Sequence, residues 1–139
     1  MIGYFDASAF LKLVIEEQGS SAAREAWHES HSKLSSRLLY TEARAGLARA
    51  HRMRRIDGRR LAAARAEVNA FIDETDLLDV TEGVTRRAGD LAERHGLRAY
   101  DAVHLASVEV VADEETLLVA ADGNLIRAAR ARGIATAAL

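Results

Sequence analysis

An α/β fold around a small central parallel sheet of four to five strands, flanked by helices, is expected from three features of the chain. Short apolar runs alternate with longer stretches whose apolar residues recur every three or four positions, as in strand–helix–strand units. Two of the runs, Ile2–Phe5 and Leu117–Ala120, are followed closely by an aspartate, Asp6 and Asp122. Open α/β sheets place their sites at such strand ends. The 139 residues suffice for a single domain spanning 1–139, with one buried core.

The elements follow in order. Ile2–Phe5 reads as a buried strand, and Ser8 as the N-cap of a helix through Phe10, Leu11, Leu13 and Val14. Gly19 with Ser20 and Ser21 breaks the chain before a second helix, 21–30. Lys33–Ser35 is a short second strand with little apolar content. Leu39, Ala43, Gly46, Leu47, Ala50 and Met53 keep helical spacing. Asp57-Gly58 is a turn, and 59–72 the next helix. Leu77–Val80 is the third strand. Thr81 and Glu82 open a helix that Gly96 stops after His95. Residues 99–112 form an apolar helix that feeds the fourth strand, Leu117–Ala120. Residues 124–132 are helical, Gly133 caps them, and Ile134–Thr136 is a last short strand. If the fourth strand runs parallel to the first, the helix before it runs antiparallel. Its start, with Tyr100 and Asp101, then lies at the rim where the strands end.

Composition excludes several classes. There is no Cys, so no disulfide framework or thiol nucleophile, and no Pro, so no Pro-rich linker. No apolar run approaches the ~18 residues of a membrane span. The N-terminal residues lack a basic segment and a long apolar core, so no signal peptide is expected, and the expected location is the cytoplasm. The net charge is −2, yet residues 44–65 hold eight arginines (44, 49, 52, 54, 55, 59, 60 and 65) against Asp57 alone, a net +7. Such a stretch suits phosphate or an acidic partner; its alternative is the solvated face of an Arg-rich helix.

Four acidic residues from distant parts of the chain converge on one rim: Asp6, Asp122, Glu42 in the first turn after the second strand, and Asp101. Singly, each has a structural role in a turn or at a helix N-terminus. Together, four carboxylates repel one another and some are forced neutral. A hard divalent cation removes that conflict. Two Mg²⁺ ions balance the four charges, and a pair ~3.5–4 Å apart activates water and stabilises a leaving oxygen of a phosphodiester.

Asp6-Ala7-Ser8 after an N-terminal strand, Glu42 early in the third helix, Tyr100-Asp101-Ala102-Val103-His104-Leu105-Ala106, and Ala121-Asp122 after a late strand resemble the PIN-domain fold, a three-layer α/β arrangement. The likeness spans almost the whole chain, and its opening and length resemble VapC-type toxins of type II toxin–antitoxin systems. The resemblance implies an endoribonuclease acting on tRNA or rRNA, with Asp6, Glu42, Asp101 and Asp122 binding Mg²⁺ or Mn²⁺ and Ser8 as an accessory polar residue. It further implies an RNA substrate, a cognate VapB-type antitoxin and a homodimer. The apolar side chains of the first two and middle helices are the expected receiving surface for the antitoxin. One departure stands: Ala120 occupies a position, two before the last aspartate, where many relatives carry Thr or Ser. Asn124 is the candidate replacement for that hydroxyl.

Rival readings are a non-catalytic RNA-binding module using the Arg44–Arg65 stretch, and a phosphoacceptor at Asp6. Phosphatases of that kind show Asp-x-Asp where this chain has Ser8, and receivers want a late lysine, whereas none follows Lys33. His28 and His31 read as surface residues, His104 as a packed core histidine, Trp27 and Phe10 as core or interface anchors, and Tyr100 as packed at the rim in preference to stacking on RNA.

Overall fold

The computed structural model describes residues 1–139. The chain runs β1 (Ile2–Phe5), α1 (Ala7–Val14), α2 (Ser20–Glu29), β2 (Ser32–Ser36), α3 (Leu39–Arg52), α4 (Gly58–Asp73), β3 (Asp76–Leu78), α5 (Glu82–His95), α6 (Ala99–Val111), β4 (Thr116–Ala120), α7 (Gly123–Ala131) and β5 (Ala135–Ala138). The five strands form one sheet in the order β3-β2-β1-β4-β5, and every pair is parallel. The chain builds outward from β1 to β3, then crosses back to lay β4 on the other side of β1. The crevice between the ends of β1 and β4 is therefore the point where the winding reverses, the place where open α/β sheets bind ligands.

Alternation along the strands makes two cores. Tyr4, Leu118 and Ala120 face α5, α6 and α7, while Phe5 and Val119, their neighbours in sequence, face α1 to α4. On the second side Phe5, Phe10, Trp27 and Phe71 interlock, with ring centroids 5.0–6.1 Å apart. Phe10 and Trp27 are thus core residues, as expected. The apolar side chains of α1 and α2 are spent here too, so they offer little docking surface. The exposed large apolar residues are Tyr40, Met53, Tyr100 and Val110. No helix is long and apolar enough to cross a membrane.

Element boundaries shift for local reasons. The N-cap of α1 is Asp6, not Ser8: its carboxylate accepts from Ala9 N–H, and Ser8 lies inside the first turn. β2 is polar because its buried hydroxyls have backbone partners. Ser35 Oγ donates to the Phe5 carbonyl at 2.6 Å, and Ser36 Oγ accepts from Leu38 N–H. β3 starts and ends earlier than expected, with Arg37 N–H closing the ladder on Leu78 O. Ile134 is buried beneath α7 rather than paired, which moves β5 to Ala135–Ala138. Gly96 does stop α5, at φ 63°. His31 lies beyond the end of α2 and its Nδ1 meets the N-terminal amine at 2.9 Å, so it shares no helix face with the exposed His28.

Candidate active site

Asp6, Glu42, Asp101 and Asp122 line one cavity of about 580 Å³ at the β1/β4 crevice. Two helix starts and two strand ends produce this. Asp6 and Asp122 cap α1 and α7 directly after their strands. Glu42 stands in the first turn of α3 and Asp101 in the first turn of α6, which runs antiparallel to the sheet as the strand directions require. Their structural and site roles coexist. Asp122 Oδ1 accepts from Asn124 and Leu125 N–H, leaving Oδ2 to face the cavity's cationic rim.

Asp6 is the buried member, 3% exposed. Burial pushes its carboxyl up to about 6, against the lowering effects of His104, Ala9 N–H and Ser8. Ser8 Oγ lies 2.7 Å from both Asp6 oxygens, and accepts from Ala121 N–H at 2.9 Å. Ser8 thus ties the end of β1 to the end of β4. Asn124, the candidate replacement for the hydroxyl missing at Ala120, does not line the cavity, and its side-chain oxygen accepts from Arg127.

A histidine and an arginine of the chain hold the other carboxylates. His104, 1% exposed, lies between Tyr4 and Glu42: Nδ1 is 2.9 Å from Tyr4 Oη, and Nε2 is 2.7 Å from Glu42 Oε1. Burial opposes charging this imidazole, but the Glu42 hydrogen bond and the charges of Glu42, Asp6 and Asp101 outweigh it and raise its pKa. Arg98 donates from Nε to Asp101 at 3.0 Å and from Nη2 to Asp122 at 3.1 Å. Arg98 was not among the residues singled out in the sequence; its place three residues before Asp101 is the signal that marks it. Arg49 and Tyr100 also line the cavity. Tyr100 is 61% exposed rather than packed at the rim.

The donor set suits a hard divalent cation, being all oxygen and densely negative. Held by His104 and Arg98, the carboxylates do not converge as a ready-made cluster of three ligands. The Arg98 contacts are the ones a cation must replace, whereas His104 engages one oxygen of Glu42 and leaves the other free.

The PIN domain family model matches residues 3–131. Ribonuclease VapC45 of Mycobacterium tuberculosis is 43% identical over 130 residues, covering 94% of this chain and 90% of that protein. The chain belongs to the PIN-domain family and is of VapC type. Solved PIN-like structures share the fold of this domain. VapC20 of Mycobacterium tuberculosis, described as a Sarcin-Ricin loop cleaving toxin, aligns at TM-score 0.71 and 20% identity over 95% of each chain. A toxin–antitoxin complex from Klebsiella pneumoniae aligns at TM-score 0.63 and 16% identity over 86% of each. The arginine stretch of this PIN domain is divided in its uses. Arg55 pairs with Glu17, Arg60 with Glu67, and Arg44 with the Tyr40 hydroxyl; Arg49 lines the acidic cavity, and Arg52, Arg54, Arg59 and Arg65 form no ion pair.

Proposed function

We propose that this PIN domain is a Mg²⁺- or Mn²⁺-dependent endoribonuclease toxin acting on tRNA or rRNA in the cytoplasm and held off by a VapB-type antitoxin. The observation that carries this reading is the convergence of four carboxylates, from four separated segments, on one cavity at the reversal point of the sheet. The similarity to Ribonuclease VapC45 over nearly the whole chain supports the RNA substrate.

In this reading Asp6, Glu42 and Asp101 hold the principal cation, and Asp122 completes the acidic site. When bound, the cation supplies an activated water and neutralises charge on the scissile phosphodiester. The chain's own residues do the rest. Ser8 fixes the Asp6 carboxylate, and His104 fixes Glu42, each by a hydrogen bond of 2.7 Å. Arg49, on the cavity wall, and Arg98, once released from its carboxylates, hold the phosphate backbone. The guanidinium of Arg98 already spans Asp101 and Asp122, which supports an antitoxin Arg or Lys entering the same place. A homodimer completes the proposal, carried by the family likeness.

Incubating the purified, antitoxin-free protein with total tRNA and rRNA tests this, in Mg²⁺, Mn²⁺ or EDTA, beside Asp6→Asn. Discrete fragments that require the metal and disappear in the variant are expected. Equal cutting by wild type and Asp6→Asn, or cutting undiminished in EDTA, defeats the reading.

A further inference from the structure

Tyr100 is set one position before Asp101 on α6, and lines the acidic cavity. Tyr100 is 61% exposed and its side chain has no hydrogen-bond, aromatic or cation partner, in contrast to Tyr40, whose hydroxyl and face are taken by Arg44. Met53 and Val110, the other exposed apolar side chains, do not line the acidic cavity. The Tyr100 ring walls two spaces at once. One is the acidic cavity. The other is a side pocket of about 150 Å³ that it forms with Leu38, Thr41, Glu42 and Ala45. The two spaces share Glu42, Ala45 and Tyr100, so the side pocket opens directly beside the carboxylates. Its lining combines one aromatic residue, the aliphatic Leu38 and Ala45, and the polar Thr41 and Glu42.

We propose that this side pocket is a nucleobase subsite, in which one unpaired base of the RNA stacks on Tyr100 next to the phosphodiester in the acidic cavity. The proposal rests on the ribonuclease reading above. A phosphodiester cannot enter the cavity without bringing its two flanking nucleotides to the walls, and Tyr100 is the unpartnered aromatic wall. Every base has a face that stacks on an aromatic ring, and the Thr41 hydroxyl can then favour one base edge over another. Substrate choice in this enzyme is accordingly set by Tyr100 and Thr41 together with the RNA's own unpaired segments.

The test has two arms, with thermal unfolding as the control for folding. In the first, an RNA cleaved by wild type is compared with Tyr100→Ala and Tyr100→Phe. Tyr100→Ala is expected to lower kcat/KM about tenfold or more, with Tyr100→Phe within about twofold of wild type. In the second, the non-cleaving Asp6→Asn protein binds the same RNA carrying 2-aminopurine at each nucleotide flanking the cut. Fluorescence at one flanking position is expected to be quenched, and the quenching lost when Tyr100→Ala is added. Cleavage by Tyr100→Ala at the wild-type rate, or no quenching at either flank, overturns the subsite while leaving the ribonuclease reading intact. Altered sedimentation of Tyr100→Ala with unchanged RNA affinity per protomer also overturns it, by assigning the ring to contact between copies. Failure of wild type to cut any RNA in the presence of metal defeats the ribonuclease reading, and the subsite falls with it.

Discussion

Asp6 serves two ends that oppose each other. One oxygen caps α1 through Ala9 N–H, which favours the folded chain; burial of the charge disfavours it. Its folded pKa, about 6, lies above the ordinary 3.8. Between those values the folded chain binds more protons than the unfolded one, so stability falls as pH rises through that window. The cost is fully present above pH 6, absent below pH 4, and of order 2–3 kcal/mol at 1.36 kcal/mol per tenfold. Asparagine keeps the capping oxygen and removes the charge. Asp6→Asn in EDTA is therefore expected to melt higher than wild type at pH 7.5, by about 5–10 °C, with the gap closing by pH 4. A gap that is constant with pH, or a lower melting point at pH 7.5, contradicts this account. The four carboxylates were legible in the sequence because each sits at a strand end or a helix start, where side-chain position follows from chain direction. The groups that hold them were less so. His104 reads as a core histidine, which it is, but its bond to Glu42 spans 62 residues and depends on how α6 lies against the sheet. The i,i+3 spacing of Arg98 and Asp101 is local, but the reach of Arg98 to Asp122, 24 residues on, and the exposure of Tyr100 are settled by how the start of α6 faces, and no local pattern encodes that.

Among the elements, the helices were legible to within a residue or so, because caps, glycines and three-to-four spacing mark their ends. The strands were less legible where burial is satisfied by polar groups. β2 shows one leucine, and its stability comes from ladder bonds on both sides and from the Ser35 hydroxyl on Phe5 O. β1 carries a different constraint at Gly3, the point where the end of α2 presses on the sheet. A Cβ there would stand 2.2 Å from Ser30 Oγ and 2.6 Å from the Phe5 ring. Ser30 is itself held, donating to Ala26 O at 2.7 Å, so it cannot give way without losing a buried bond. Gly3→Ala is expected to destabilise the fold by about 1–3 kcal/mol, read as a drop in melting temperature, despite alanine's fitness for a strand. An unchanged melting point shows that α2 moves freely on β1.

At the scale of the whole molecule, strand order and charge placement together decide the site. The reversal between β1 and β4 brings residues 6 and 122 to one crevice, and a net charge of −2 conceals an acidic cavity bordered by an arginine-rich helix. Carboxylates alone repel RNA, so attraction has to come from cations along the approach. Arg49 lines the cavity, and Arg52 follows three positions later on α3, on the adjoining part of the same helix face. Neither forms an ion pair, so both are free to replace counterions on a phosphate chain, unlike Arg86, which pairs with Glu82 on α5. For single-stranded RNA each such replacement steepens the fall of log affinity with log salt by about 0.7. Measured on the Asp6→Asn protein, which is expected not to cut, adding Arg49→Ala and Arg52→Ala is expected to make that slope shallower by about 1.4. Adding Arg86→Ala and Arg24→Ala instead, an equal loss of formal charge from arginines already paired with Glu82 and Glu16, is expected to leave it unchanged. Equal slopes for all three proteins would place the RNA path elsewhere, whereas equal reductions from both sets of substitutions would reduce the arginines to a diffuse field with no track leading to the carboxylates.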